Sequence, residues 1–226
     1  LAYNYINNVT RAKMSKVNLF SEDNIGVVAQ SDLADFAFTG GFNVGGKFSA
    51  GASVNINSFN DTTEALVEGS NLTAKAGGGY NADGIAVSSE MKTDGMAQHW
   101  YDAIFASSEA LKNNRVASHK KGLVVDSSST HSISSNLVCG GGSNGFLTFE
   151  GTFAQNYIDG KTIAVLSDTD VNAAENTLNA NQNVHVNAAD FNNIGTFEIG
   201  VAFSINTADA NAAGGEGGNP GGDAGA

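Results

Sequence analysis

The chain has few charged residues: only 15% of its 226 residues are charged, against about 25% in an average soluble domain. Its formal net charge is −12, with no basic stripe, which argues against binding to nucleic-acid backbones or anionic lipid. Proline, cysteine and tryptophan occur once each, and a single cysteine permits no internal disulfide. No run of about 18 apolar residues is present, so no membrane-spanning segment is predicted.

Glycine, by contrast, is abundant, with 28 residues, and the apolar content of 41% excludes wholesale disorder. The chain opens on Leu1, and no charged segment followed by an apolar stretch comes after it. A secretory signal peptide has that form. We therefore expect the sequence to be a piece of a longer protein.

Internal repeats dominate the sequence. The pattern that begins at Asn4 and ends on Thr-x-Ala returns at Asn57 and Asn156, and a fourth start precedes Asn206. The shifts are 53, 99 and 50 residues. The middle shift is about twice the others, which predicts a degenerate copy between Tyr80 and Lys121. The motifs Thr10-x-Ala12, Thr63-x-Ala65 and Thr162-x-Ala164 should then occupy matching positions, with their alanines inward, and so should Asn18-Leu19, Asn71-Leu72 and Asp170-Val171.

A second element has alternating apolar and variable residues, the period of a strand with one buried face. It appears as Val27-x-Ala29, Ile85-x-Val87, Leu123-x-Val125 and Val184-x-Val186. An antiparallel meander would need hairpin turns between all strand pairs, and a propeller usually carries more tryptophan. We therefore predict a solenoid of about eight to ten coils of roughly 20–30 residues, with small or branched apolar residues inside.

The residue pattern of the repeated segments resembles that of the repeats in leukotoxin-type filamentous haemagglutinins. The similar segments are Gly51–Asn57, Gly122–Asn136, Asn156–Thr162 and Val184–Asp190. The resemblance implies an all-β, right-handed parallel β-helix over residues 1–207, exported to the bacterial surface by an outer-membrane secretion partner. It implies a structural and adhesive shaft that binds a host-cell or matrix surface.

Two segments depart from the repeats. Residues 96–112 place Met96, Trp100, Ile104 and Leu111 roughly on one helical face, so this stretch is either one short inserted helix or a diverged coil. Residues 208–226 are rich in glycine and alanine and faintly resemble a calcium-binding nonapeptide. One imperfect copy cannot complete a calcium shell, so a flexible linker is the better interpretation.

No catalytic, cofactor-binding or metal-binding residue is predicted. The acids are scattered, although Asp168 and Asp170 would share a strand face, as would Asp159 and Lys161. The chain's two arginines, Arg11 and Arg115, have no acidic neighbour in sequence. A carbohydrate-active enzyme on the same scaffold is the alternative, and it would require acids converging within about 5–6 Å in a groove.

Histidine and cysteine do not change this interpretation. The four histidines, at positions 99, 119, 131 and 185, lack metal-ligand spacing and are expected at the surface or at corners. Cys139 lies among apolar and small residues and is expected to be a buried small hydrophobe. The sequence therefore predicts a non-catalytic surface module.

Overall fold

The structure, a computed structural model, describes residues 1–78, 83–91, 115–145, 147–173 and 180–204. All regular structure in this part of the chain is β. The strands are β1 (Ala2–Ser15), β2 (Asn18–Ser21), β3 (Ile25–Gly45), β4 (Phe48–Glu68), β5 (Asn71–Ala74), β6 (Ile85–Met91), β7 (Arg115–Lys120), β8 (Leu123–Ser143), β9 (Leu147–Ser167), β10 (Asp170–Val171) and β11 (Val184–Ser204).

Nine of these strands form three parallel sheets. The first long sheet has the order β1-β4-β9, the short sheet β10-β5-β2, and the second long sheet β11-β8-β3. The chain therefore passes through the three sheets in the same order three times, by way of β1-β2-β3, β4-β5-β8 and β9-β10-β11. The remaining strands, β6 and β7, pair antiparallel with each other. The prediction of an all-β fold with parallel pairing is confirmed.

The register confirms the core of the repeat alignment. Asn57 pairs with Asn4 on one side and with Asn156 on the other, at the predicted shifts of 53 and 99 residues. The Thr-x-Ala motifs are aligned in the same way, and Ala12 and Ala164 pack beside the fully buried Ala65. In the short sheet, Leu72 pairs with Leu19 and Val171, also as predicted.

The predicted extra copy between Tyr80 and Lys121 is wrong, because β4 pairs directly with β9. The described residues there form the β6–β7 hairpin, so Ile85 and Val87 do not belong to a parallel sheet. The fourth start is also wrong. Gly200 pairs with Cys139 in the second long sheet, whereas Gly51 lies in the first. Short alternating motifs recur in described strands of both long sheets, so a match of that kind cannot identify the sheet.

A smaller correction concerns the second long sheet. Val27 pairs with Val125, two residues from the predicted Leu123, while Leu123 pairs with Val184 as expected. Because side chains alternate with a period of two, a slip of two residues keeps every side chain on its face. The apolar pattern alone therefore cannot choose between the two registers.

The strands are much longer than predicted. β3, β4, β8, β9 and β11 each have 21 residues, or about 70 Å of extended chain. The described residues consequently make three passes instead of eight to ten coils. In the sequence, a polar residue at an inward position suggests that a strand has ended. In this structure the strands continue through such residues.

The interior is only partly apolar. An apolar cluster adjoins the short sheet and includes Val27, Ala65, Val67, Leu72 and Leu123. Farther along the long sheets, β4 alternates strictly between buried and half-buried positions from Ser53 to Glu68. Between Ser53 and Thr63 its buried positions carry polar side chains apart from Phe59, which contradicts the expectation of an apolar interior. The buried polar residues of β4 are Ser49, Ser53, Asn55, Asn57, Asp61 and Thr63.

Two of the predicted interior residues are half exposed. Val184 and Val186 lie on β11, which is an edge strand in the part of the chain that the structure describes. The predicted helix near residues 96–112 and the predicted linker at 208–226 lie outside the described residues, as does His99. Among the residues that are described, no helix is long and apolar enough to cross a membrane.

Candidate functional site

A column of asparagine side chains crosses the first long sheet. Asn4 Nδ2 donates to Asn57 Oδ1 at 2.9 Å, and Asn57 Nδ2 donates to Asn156 Oδ1 at 2.8 Å. Asn156 Nδ2 then donates to Thr196 Oγ1 of the facing sheet at 2.9 Å. In-register parallel pairing brings identical amides together, and their hydrogen bonds allow these polar groups to be buried.

One acidic side chain adjoins this column. Asp35, on β3, accepts a hydrogen bond from Asn4 Nδ2 at 3.2 Å, and its Oδ2 lies 2.9 Å from the Asn57 amide oxygen. Burial raises the pKa of the Asp35 carboxyl above its usual value, and the hydrogen bond from Asn4 partly opposes that rise. A proton on Asp35 turns the close approach of two oxygens into a hydrogen bond. Rotating the Asn57 amide is the other way to satisfy Asp35, but it would turn that amide's nitrogen toward Asn4 Nδ2.

His131 lies at the centre of a second network. It is fully buried on β8, so the expectation of a surface or corner position is wrong for this histidine. Its Nε2 lies 3.0 Å from Asp61 Oδ2, on the facing sheet. Its Nδ1 lies 2.7 Å from Asn192 Oδ1 and 3.2 Å from Asp190 Oδ1, both on β11. Each ring nitrogen therefore has a hydrogen-bond partner inside the protein, on the facing sheet for Nε2 and on β11 for Nδ1.

The carboxylates beside His131 have further partners. Asn8 Nδ2 donates to Asp61 Oδ1 at 2.8 Å, and Thr63 Oγ1 donates to Asp61 Oδ2 at 3.1 Å. Ser129 Oγ donates to Asp190 Oδ1 at 2.8 Å. Because Asp61 and His131 are both closed off from solvent, a substrate cannot reach the pair. Its role is to hold the two long sheets together.

Cys139 is buried, as predicted, but it is also a hydrogen-bond donor. Its thiol donates to Glu150 Oε2 at 2.8 Å, and this bond, together with burial, raises the thiol pKa. A thiol held in the neutral form is a poor nucleophile. The Glu150 carboxylate occupies the space beside Gly51 and Gly141, so a Cβ at either position would displace that side chain.

Most of the other charged residues that the sequence singled out lie on the outer surface or in a turn, and the side chain of Arg115 is outside the described part of the structure. Arg11 pairs with Glu64, 53 residues away in sequence and its neighbour in register. Asp159 and Lys161 share the outer face of β9. Asp168 instead lies in the turn between β9 and β10, with a φ of 47°, so the strand face predicted for Asp168 and Asp170 is wrong.

These findings leave the described interior without an assembled reactive centre. No group of three or more His, Cys, Asp or Glu side chains is placed to hold a metal ion in the described ranges.

The feature that the sequence reasoning missed is an exposed apolar end. The two long sheets share an end at which β3, β8 and β11 finish and β4 and β9 begin. At this end the outer faces of both sheets expose phenylalanine side chains. Alternating phenylalanines in charge-poor, glycine-rich stretches were the available signal. We define the apolar end by Phe36, Phe38, Phe42, Phe48, Phe149, Phe153 and Phe203, which are each 45–69% exposed.

The phenylalanines of the apolar end form two contacts. Phe42 and Phe203, from the outer strands of the second long sheet, have ring centroids 6.4 Å apart, and Phe48 and Phe149 of the first long sheet are 6.2 Å apart. Phe42 and Phe203 extend over Gly140 and Gly142, where a Cβ would crowd the rings. Large exposed apolar patches of this kind mark interaction sites. The chain matches no protein-family model, no curated protein and no solved structure.

Proposed function

We propose that the chain is a stretch of right-handed parallel β-helix and forms part of the shaft of a bacterial adhesin of the filamentous haemagglutinin type, secreted or displayed at the cell surface. In this proposal the module is non-catalytic, and an outer-membrane partner exports the full-length protein. The repeated passage through three parallel sheets, with Asn4, Asn57 and Asn156 stacked in register, supports the β-helix.

The observation that carries the adhesive role is the distribution of side chains between inside and outside. Ionisable groups that could perform chemistry, Asp61, His131 and Cys139, are buried and hydrogen-bonded to the protein. The outer faces instead present phenylalanine at one end of both long sheets. A surface of that composition is suited to binding a partner by contact area.

Adhesion of host cells to the immobilised protein tests this role. The variant Phe38→Ser/Phe149→Ser/Phe153→Ser removes apolar side chains from both faces of the apolar end, and we expect it to lose most of the cell attachment. The matched control is Val9→Ser/Val28→Ser/Ile163→Ser, which removes three exposed apolar side chains elsewhere. Equal attachment by both variants, or no attachment by the unmodified protein to epithelial cells or matrix proteins, would contradict the adhesive role.

A direct assay separates the adhesin from a carbohydrate-active enzyme. The purified protein is incubated with a panel of acidic and neutral polysaccharides, and release of reducing ends is measured. We expect no release above a heat-denatured sample. Release that is lost in Asp190→Asn, a variant of the half-exposed carboxylate beside His131, would favour the enzyme instead.

A further inference from the structure

The three parallel sheets end at two opposite edges in the described part of the chain. The lower edge consists of β1, β2 and β3, and the upper edge consists of β9, β10 and β11. Along the upper edge, Val184, Val186 and Ile194 of β11 pair with fully buried residues of β8, yet each is 45–49% exposed. Inward-facing apolar side chains therefore lie open to solvent there. A further layer of strands on this edge would bury them.

The two edge strands of the first long sheet, β1 and β9, have similar sequences. When they are aligned through their common partner β4, seven of the 14 positions carry the same residue. The identical pairs are Ala2 and Ala154, Asn4 and Asn156, Tyr5 and Tyr157, Ile6 and Ile158, Thr10 and Thr162, Ala12 and Ala164, and Ser15 and Ser167. Over the same span β4 matches β1 only at Asn57, Asn60, Thr63 and Ala65, and it matches β9 at these positions except Asn60.

The likeness of β1 and β9 serves no pairing between them within one chain. Parallel in-register pairing favours like residues on neighbouring strands, because their side chains then stack. Here β4 lies between β1 and β9 and holds them two strand spacings apart, or about 9.6 Å. Tyr5 and Tyr157, for example, lie on either side of Ser58 and are 54% and 56% exposed. These residues would stack on their like only if β1 of one molecule lay beside β9 of another.

We propose that copies of this chain stack head to tail, with the lower edge of one copy paired in register on the upper edge of the next. In this assembly β1 adds to β9 as a parallel strand, and β3 adds to β11. The two edges are different surfaces, so every assembly keeps one upper and one lower edge open. It therefore grows into a filament instead of closing as a dimer. The contact lies apart from the apolar end, so the proposal does not rest on host-cell binding.

The stack continues the rows of side chains that cross the single chain. The asparagine column has one direction, because each Nδ2 donates to the Oδ1 of the next strand from Asn4 to Asn156. In the stack, Asn4 of the second copy follows Asn156 in this column. Tyr5 of the second copy lies beside Tyr157, where two aromatic rings can pack together.

The charged and apolar rows of the contact are also compatible with stacking. In the register that β4 defines, each charged residue of β1 and of the aligned part of β9 meets an uncharged residue, so no like charges are directly opposed there. In the second long sheet, Val27 of the second copy lies beside Val186 and covers its exposed side chain. Stacking therefore completes the interior without opposing charges across the β9–β1 contact.

Oxidative crosslinking of Tyr5→Cys/Tyr157→Cys tests the proposal. Within one chain the introduced cysteines are about 9.6 Å apart, which is too far for a disulfide, whereas on stacked copies their Cα atoms are about 4.8 Å apart. Mild oxidation should therefore give dimers, trimers and larger species on a non-reducing gel. The unmodified protein is the control, because its single cysteine, Cys139, is only 2% exposed. Products that stop at the dimer, or no product at protein concentrations up to about 1 mM, would overturn the proposal.

Two mixtures of single variants test the orientation and the register. Tyr5→Cys mixed with Tyr157→Cys should crosslink at least fivefold faster than either variant alone. Tyr3→Cys mixed with Tyr157→Cys is the matched control, because Tyr3 is also exposed on β1 but lies two residues out of register. Near-UV circular dichroism checks the fold of each variant. Equal rates in the two mixtures, or faster crosslinking of Tyr157→Cys with itself, would overturn in-register head-to-tail stacking and leave the adhesive role to its own assay.

Discussion

His131 Nε2 lies 3.0 Å from Asp61 Oδ2, and the two side chains are 0% and 1% exposed. Asp61 belongs to β4 and His131 to β8, the central strands of the two long sheets. The contact therefore joins the facing sheets at their middle. Around it the interior is polar, with Asn8, Thr63 and Asn192 contributing hydrogen bonds.

Removing the imidazole should be costly. His131→Ala leaves Asp61 buried without its histidine partner, and leaving a buried polar group without its hydrogen-bond partner typically costs about 1–3 kcal/mol of folding free energy, or more for a charged group. Urea unfolding followed by circular dichroism measures the loss. His119→Ala, at an exposed position on β7, is the control and should change stability little. The double variant Asp61→Asn/His131→Ala should lose less than the sum of the single variants, and strict additivity would contradict the pairing.

Asp35 provides a pH-dependent test. The pKa of Asp35 is raised in the folded state, so protonation of this carboxyl favours folding. This contribution to stability is fully present below the pKa of the unfolded state, and it is lost as pH rises through the pKa of the folded state. Asp35→Asn imitates the protonated form and should stabilise the protein at pH 7. The advantage should shrink as pH falls and vanish once the carboxyl is protonated in both states. Unfolding free energies from pH 3 to pH 7 measure the difference between the variant and the unmodified protein, and a difference independent of pH would contradict the prediction.

Gly122 should be intolerant of a side chain. Its φ is 94°, and a Cβ would overlap the backbone of Asn183, whose carbonyl accepts the hydrogen bond of Leu123 N. Gly122→Ala should therefore cost about 1–3 kcal/mol through backbone strain, in addition to the displacement of Asn183. Gly151→Ala is the matched control, because nothing lies within 4 Å of the position of its Cβ. The midpoint of thermal unfolding should fall in the first variant and stay within a few degrees in the second.

The edge strands should promote association. In the part of the chain that the structure describes, β9 and β11 are paired on one side only, and edges of this kind can pair with another copy. We expect concentration-dependent oligomers in sedimentation velocity experiments. Ile194→Lys places a charge on the inner face of β11 and should reduce association, whereas Thr62→Lys, on the outer face of the central strand β4, should not. A strict monomer at all concentrations would contradict the prediction.

The repeats were readable from the sequence because parallel in-register pairing stacks like residues. Asn4, Asn57 and Asn156 hydrogen-bond to one another, and Ala12, Ala65 and Ala164 share a narrow interior. Hydrogen bonding and close packing act between neighbouring copies of the repeat, so equivalent positions carry the same residues at sequence shifts of 53 and 99. The all-β class, the parallel pairing and the aligned motifs of the short sheet follow from that information alone.

Only the tertiary structure decided which side chains of the two facing sheets contact each other. A contact such as His131 with Asp61 forms between facing sheets with no repeated spacing, so the sequence offers no signal for it. The same holds for Ile85 and Gly26, which come together only because the hairpin folds back over the sheet. Alternation of apolar residues shows which side chains share a face of the sheet, but it does not distinguish strand registers that differ by two residues. A polar residue in a strand can lie at the surface or in the interior, and its hydrogen-bond partner decides which. Burial of polar groups is decided by three-dimensional hydrogen bonding, which is why the polar interior emerged only from the fold.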